Sequence, residues 1–376
     1  MLQARLKLHL IFIISHFLLA KPNPHTPALY VFGDSLLDNG NNNWLPSAAR
    51  ADYAPYGLNF PSPVLGRFTN GKTPADFLAD YLGLPYPPPY ASLFGPNNIG
   101  LPNPMPNTPL FKPDSFAGYN YASAACGILP LTGINTGKCY SFDEQIEMFR
   151  QTKESQLSTV YGDPTKLSQQ LSNSIFLISV GSSDYIDNYF VPLSPSSKFH
   201  DAPKFAQLLI DRLSLQLKRL YSLGARKLLV TEVPPIGCSP TGVKPTKALM
   251  HKGECDEEAN NIVSMFNKHL PFLLTNLTST LQGSHVVLAH IYSTTYDVIT
   301  NPSKYGLRDS TNPCCRTWFN GGLQCIPEQT PCSNPNEHFF WDGYHPTEAA
   351  FSIMATEFLY GSSACSPISL QQLVEL

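Results

Sequence analysis

Five short apolar runs recur along the chain, at Ala28–Phe32, Tyr119–Ala122, Ile175–Val180, Lys227–Thr231 and Val286–Tyr292. Most are near-continuously apolar rather than alternating, the pattern of parallel strands buried on both faces. A different period lies between them. Phe205 to Leu223 places apolar residues at 205, 208, 209, 213, 217 and 220 and stops at Gly224, which predicts an amphipathic helix. Asp256 to Leu281 predicts another, with Pro271 expected to bend or split it. A third, Ala349 to Tyr360, starts just after Pro346, where proline suits a first helical turn. Strand and helix in alternation predict a doubly wound α/β domain around a five-stranded, mainly parallel sheet.

Composition adds two features. The chain has 35 prolines in 376 residues, well above the usual share of about 5%, and ten of them fall between Pro85 and Pro113. That stretch can be neither helix nor central strand, and we expect an ordered surface loop beside the active cleft. Charged residues make up only 14% of the chain and the net charge is −3. With no basic run, neither nucleic acid nor an anionic membrane surface is an expected partner.

The first twenty residues read as a secretory signal. Arg5 and Lys7 form a positive head, Leu8 to Ala20 a short apolar stretch, and Ala20 a cleavage position. A membrane span would need about 20 apolar residues. The domain is therefore expected over 26–376, in an extracellular protein. Nine cysteines suit an oxidising compartment. Cys126 with Cys139 and Cys238 with Cys255 would close short loops, and Cys314, Cys315, Cys325 and Cys332 could form two further bridges. Cys365 is then left over. No histidine falls in zinc-finger spacing, and no metal or other cofactor is expected. Asn276-Leu277-Thr278 is a glycosylation sequon.

In an open α/β sheet, ligands bind beyond the carboxyl ends of the strands. Three such ends carry small polar residues: Gly33-Asp34-Ser35, Ser123-Ala124-Ala125 and Gly181-Ser182-Ser183-Asp184. Near the C-terminus, Asp342-Gly343-Tyr344-His345 precedes the last helical pattern. A serine, a histidine and a carboxylate are what acyl transfer requires, because a serine hydroxyl is a weak nucleophile until a positioned base takes its proton. Asp34 and Asp38 read as loop hydrogen-bonding groups, Ser123 and Ser182 as structural, and Phe339, Phe340 and Trp341 as packing. The Gly-x-Ser-x-Gly elbow of ordinary α/β-hydrolases is absent.

Taken in order, these segments resemble the plant-type GDSL esterase/lipases of the SGNH hydrolase superfamily. Phe32-Gly33-Asp34-Ser35-Leu36-Leu37-Asp38-Asn39-Gly40-Asn41-Asn42 matches the family's first block, and Gly66-Arg67-Phe68-Thr69-Asn70-Gly71-Lys72-Thr73 its following signature. Asn120 to Ala125 resembles the second block, Gly181 to Tyr185 the third, and Trp341 to Ala349 the fifth. Pro234-Pro235-Ile236-Gly237-Cys238 also fits. The resemblance implies a three-layer α/β/α fold of the SGNH, flavodoxin-like kind. It implies Ser35 as nucleophile, His345 as general base, Asp342 as its orienting carboxylate, and an oxyanion hole from Ser35, Ala125 and Ser183. Two positions depart from the family pattern: Ala125 stands where glycine is frequent, and Ser183 where asparagine is expected. The expected activity is hydrolysis of a carboxylic ester with an uncharged acyl chain or aromatic acyl group, from a small molecule, lipid, acetylated cell-wall polysaccharide or phenolic ester. An acyltransferase with the same triad, or a binding protein that kept the fold, are the alternatives.

Overall fold

The computed structural model describes residues 26–60, 66–93, 117–242, 254–318, 324–361 and 363–376. Four parallel strands form the centre of the main sheet: β1 (Leu29–Gly33), β2 (Ile175–Ser179), β3 (Lys227–Thr231) and β4 (His285–Ala289). Two short strands, β5 (Asp309–Pro313) and β6 (His338–Phe340), pair separately, and β7 (Cys365–Ser366) adds an antiparallel edge beside β4. The sheet order is β1-β2-β3-β4-β7, a five-stranded, mainly parallel sheet as expected.

Helices cover both of its faces. They are α1 (Pro74–Leu82), α2 (Phe142–Gln151), α3 (Pro164–Asn173), α4 (Ala202–Ser222), α5 (Glu257–Thr280), α6 (Tyr292–Thr300), α7 (Glu348–Tyr360) and α8 (Leu370–Glu375). Alternate strand residues divide the core. Tyr30, Phe32, Phe176, Ile178, Leu228 and Val230 pack under α2 to α5, while Leu29, Val31, Leu177, Leu229 and Val287 pack under α1 and α8. Burial of the strands on both faces explains their continuous apolar runs.

Two expectations need correction. Tyr119–Ala122 is not one of the five strands. It runs beside β1, with Leu29 and Val31 N–H donating to Ala117 O and Tyr119 O at 2.9 and 3.0 Å and Tyr121 and Ser123 N–H to Val31 O and Gly33 O at 2.8 and 3.0 Å, but with β1 it forms only an isolated bridge, Asn120 with Val31. The fifth strand is β7. Nor does Pro271 break its helix: α5 continues through it. Losing one hydrogen bond and accommodating the ring costs about 3 kcal/mol. Leu270, Leu273, Leu274 and Leu277, buried on both sides of the proline, each return about 1.5–3 kcal/mol by burial.

Cys126–Cys139 and Cys238–Cys255 pair as the spacing suggests, and the group whose pairing it left open forms Cys314–Cys332 and Cys315–Cys325. Cys365 is free. Of the proline-rich stretch, residues 85–93 are described. Asn120 N–H donates to Pro88 O at 2.9 Å and Tyr90 N–H to Asn120 O at 2.8 Å, so this part is tied to the segment beside β1. Residues 94–113 of that stretch and the N-terminal leader lie outside the described residues. Asn276 is exposed on the last turns of α5.

Candidate active site

The candidate nucleophile leaves the sheet at the end of β1. Gly33 is required there by close approach, since a Cβ would stand 2.6 Å from Ser179 O. The buried Gln145 amide clamps the same residue, accepting from Gly33 N–H at 3.0 Å and donating to Gly33 O at 2.9 Å. Asp34 N–H donates to Ser179 O on β2, and Leu37 and Asp38 N–H return to Asp34 O. The chain therefore turns sharply at Ser35 without starting a helix.

The facing side comes from the short β6. Cys314 and Cys315 N–H donate to Phe340 O and Trp341 O, and Trp341 N–H donates to His345 O at 2.7 Å. Two disulfides fix the Cys314-Cys315 pair from behind. Thr347 then caps α7, accepting from Ala350 N–H. These bonds close residues 341–345 into a tight turn in which Tyr344 and His345 N–H donate to Asp342 Oδ1, each at 2.8 Å.

Across 310 residues of sequence, His345 Nε2 lies 2.8 Å from Ser35 Oγ. Its Nδ1 lies 2.9 and 2.8 Å from the two oxygens of Asp342. Asp342 accepts in this pair, so Nδ1 carries the proton and Nε2 is left to accept from the serine hydroxyl. Asp342 is fully buried and His345 nearly so. Phe68, from the Gly66–Thr73 segment, lies with its ring centroid 5.1 Å from the imidazole. Ser35, Ala125, Ser183 and His345 line one pocket. The structure thus brings together the catalytic and oxyanion-hole candidates read from sequence.

The chain matches the GDSL-like Lipase/Acylhydrolase family model over residues 29–358. This chain belongs to the GDSL lipase/acylhydrolase family. Among curated relatives, GDSL esterase/lipase 7 of Arabidopsis thaliana is 42% identical, covering 94% of this chain and 93% of its own. Two further GDSL esterase/lipases of that plant are 39% and 38% identical, each over 93% of this chain and over 91% and 86% of their own. The protein is accordingly a carboxylic ester hydrolase.

Both departures from the GDSL pattern have structural counterparts. Ala125 adopts a left-handed backbone with φ of 67°, a conformation glycine takes freely and alanine only at about 1–2 kcal/mol. Ser183 is buried and its hydroxyl faces the Asp187 carboxyl closely enough to favour the charged form, one helical turn further on and lining the same pocket. Burial raises Asp187 to about 7; the Ser183 hydroxyl opposes the rise and the Asp34 charge adds to it. Burial likewise raises Asp34, Asp38 and Asp184 to about 6.

Several positioning groups escaped the sequence reading. Tyr56 donates to Asp342 Oδ2 at 2.6 Å and accepts from Cys325 N–H at 3.1 Å. Burial and the Asp342 charge hold its phenol well above the usual range, so it stays a donor. Asp184 accepts from Ile128 and Leu129 N–H and from Thr132 Oγ1, at 2.7, 3.0 and 2.6 Å, which ties the loop after Ala125 to the loop after β2. Gly127 is needed there because a Cβ would meet Asp184 Oδ2 at 2.2 Å. Asp184 follows Ser183 within the third block, so that signal was present; Tyr56 has no local signature. Asp38 accepts from Gly40, Asn41 and Ala124 N–H, and Ser123 bonds Asn42 and Tyr140, the structural roles expected for them. Among the described residues no cluster of three or more His, Cys, Asp or Glu could hold a metal.

Proposed function

We propose that the protein is a secreted serine esterase whose triad is Ser35, His345 and Asp342, working through an acyl-serine intermediate. The observation that carries this reading is the Ser35 Oγ–His345 Nε2 distance of 2.8 Å, continued by His345 Nδ1 onto a buried carboxylate. Ser35 Oγ attacks the ester carbonyl while Nε2 takes its proton. The tetrahedral oxyanion is met by the Ser35 and Ala125 backbone N–H groups and by the Ser183 hydroxyl, whose one proton must turn from Asp187 to reach it. His345 returns the proton to the departing alcohol. Water, activated by the same imidazole, then releases the acid and restores Ser35.

Secretion is supported by the N-terminal pattern and by four disulfides. No helix among the described residues is long and apolar enough to cross a membrane. We take residues from 26 onward as one hydrolase domain behind a cleaved leader, with Asn276 its glycosylation site. The engagement of Ser183 with Asp187 favours, as a second reading, a binding protein that no longer turns over esters. Mass spectrometry after treatment with a fluorophosphonate decides between them. An adduct on Ser35 that His345→Ala abolishes is the expected result, and its absence from folded protein establishes the binder. Ester exchange onto an added alcohol, outrunning hydrolysis, would make the enzyme a transferase.

A further inference from the structure

A second cavity adjoins the candidate site. It lies between the sheet face that carries Leu177 and the helices α1, α6 and α7, and its volume is about 120 Å³. None of the residues lining it is charged. Of the few hydroxyls among them, Thr231 Oγ1 donates to Ser179 Oγ at 2.8 Å and Thr295 Oγ1 to Met354 Sδ at 3.2 Å, while the buried Ser239 Oγ has no hydrogen-bond partner among the described residues. Leu36, Ile186, Pro234, Ile236 and Tyr344 line both this cavity and the pocket that holds Ser35 and His345. Leu36 is the residue next to the nucleophile.

Helix α7 explains why the space is open. Its sequence, EAAFSIMATEFLY, is apolar on more than one face, yet only Ala350, Phe351 and Ala355 are buried. Met354, Phe358 and Leu359 point into the cavity's lining while remaining only half-buried. An apolar wall left unfilled forgoes both dispersion contact and hydrophobic stabilisation, so it suits an apolar occupant that arrives from the reaction site.

We propose that this cavity is the acyl-chain site, and that the preferred substrates are esters of an unbranched, uncharged acyl group of about ten carbons. The length follows from α7. Phe351 to Leu359 both line the cavity, and eight residue steps at 1.5 Å rise span about 12 Å. An extended chain advances about 1.1–1.2 Å per bond, from the 3.3–3.6 Å reach of three backbone bonds. The ester identity of the ligand rests on the esterase reading; the cavity does not.

Two measurements separate the two ideas. In the first, Ser35→Ala protein, which needs no chemistry, is titrated calorimetrically with decanoate and with acetate. Saturable binding of decanoate, none of acetate, and at least tenfold weaker decanoate binding when Ala355→Phe is added are expected. In the second, kcat/KM of otherwise unaltered protein is taken along p-nitrophenyl esters from acetate to palmitate. It should rise from acetate to about decanoate and then level or fall. Ala355→Phe should lower the decanoate-to-acetate ratio at least tenfold, and Phe358→Ala, which lengthens the cavity, should move the optimum to longer chains. Equal affinity for decanoate and acetate, or chain-length profiles that neither substitution moves, overturns the proposal. If decanoate binds but no ester is cleaved, the esterase reading falls and the apolar site stands.

Discussion

Replacing Tyr56 by phenylalanine removes one oxygen and nothing else, at a place where two buried groups depend on it. The phenol donates at 2.6 Å to Asp342 Oδ2 and accepts at 3.1 Å from Cys325 N–H, and all three residues are buried. A hydrogen bond to a charged group contributes about 1.5–3 kcal/mol, and a buried amide left without an acceptor costs about 1–3 kcal/mol. Tyr56→Phe should therefore destabilise by about 3–5 kcal/mol, a large part of the roughly 5–15 kcal/mol typical of a folded protein. Tyr53→Phe is the control. Its hydroxyl donates to Cys325 O at 3.0 Å in a partly exposed position, and its loss should cost only about 0.5–1.5 kcal/mol. Activity should fall less than stability suggests. Asp342 Oδ1 keeps two backbone donors at 2.8 Å, so the carboxylate stays in place and kcat drops about 10- to 100-fold, short of the roughly 10⁴ seen when an orienting carboxylate is neutralised. Urea unfolding with the disulfides intact gives the first number, and initial rates on a short nitrophenyl ester give the second. Equal midpoints for the two variants would show that the Tyr56–Asp342 bond carries no stability, and the reasoning would be wrong.

Two further outcomes follow from the third block. Asp187 has a folded pKa of about 7, raised chiefly by burial, with Asp34, Asp184, Tyr344 and His345 as its charged or titratable neighbours. A raised carboxyl pKa favours the neutral form in the folded state, so its contribution is full below about pH 4 and is lost as pH rises through about 7. Asp187→Asn mimics the neutral form, and its unfolding free energy should fall less between pH 5 and pH 8 than that of the unaltered protein; a steeper fall refutes the sign. Ser183→Asn should restore the side-chain amide donor and raise kcat on a short nitrophenyl ester by tenfold or more, within the 10²–10³ that one such donor supplies; an unchanged or lower kcat means the Ser183–Asp187 pair is the working arrangement.

The sheet was largely legible because a parallel strand buried on both faces writes itself as a continuous apolar run, and β1 to β4 do so. β7 was not, since Cys365-Ser366 is two residues and no period fits in two residues. Tyr119–Ala122 has strand composition, but while Tyr119 and Tyr121 bond β1 the Asn120 N–H and carbonyl are taken by Pro88 and Tyr90, a tertiary fact with no local trace. Capping boxes, Thr73 with Asp76 and Ser141 with Glu144, mark the starts of α1 and α2, but the apolar periods that follow are too short to predict a helix by themselves. At the site, the ordered motif blocks marked Ser35, Asp342 and His345 as candidates, and folding brings them together. Tyr56 and Gln145 reach the site from positions whose neighbours in sequence carry no chemistry, so only the fold reveals them.

The same contrast accounts for the oddest stretch of the chain, the polar run Asp38-Asn39-Gly40-Asn41-Asn42, which is buried throughout. An ordinary hydrolase elbow positions its serine by a strand running directly into a helix, whose backbone groups satisfy one another. Here the chain after Ser35 has no such helix, and its backbone and that of Asn120 to Ala124 would be left with unmet donors and acceptors in a dry interior. The asparagine side chains meet them. Asn41 Nδ2 donates to Asn120 O and Ala122 O while its Oδ1 accepts from Ala91 N–H. Asn42 Nδ2 donates to Ala49 O and Ala124 O, and Asn120 Nδ2 donates to Leu37 O at 2.7 Å. Except at Asn120 O, which also accepts from Tyr90 N–H, each bond meets a group whose orphaning would cost about 1–3 kcal/mol. Together they hold Ser35 and Ala125, which come from separate segments, in a fixed relation. Polar residues that never touch a substrate are in this way the reason the candidate nucleophile and oxyanion donor can face one pocket.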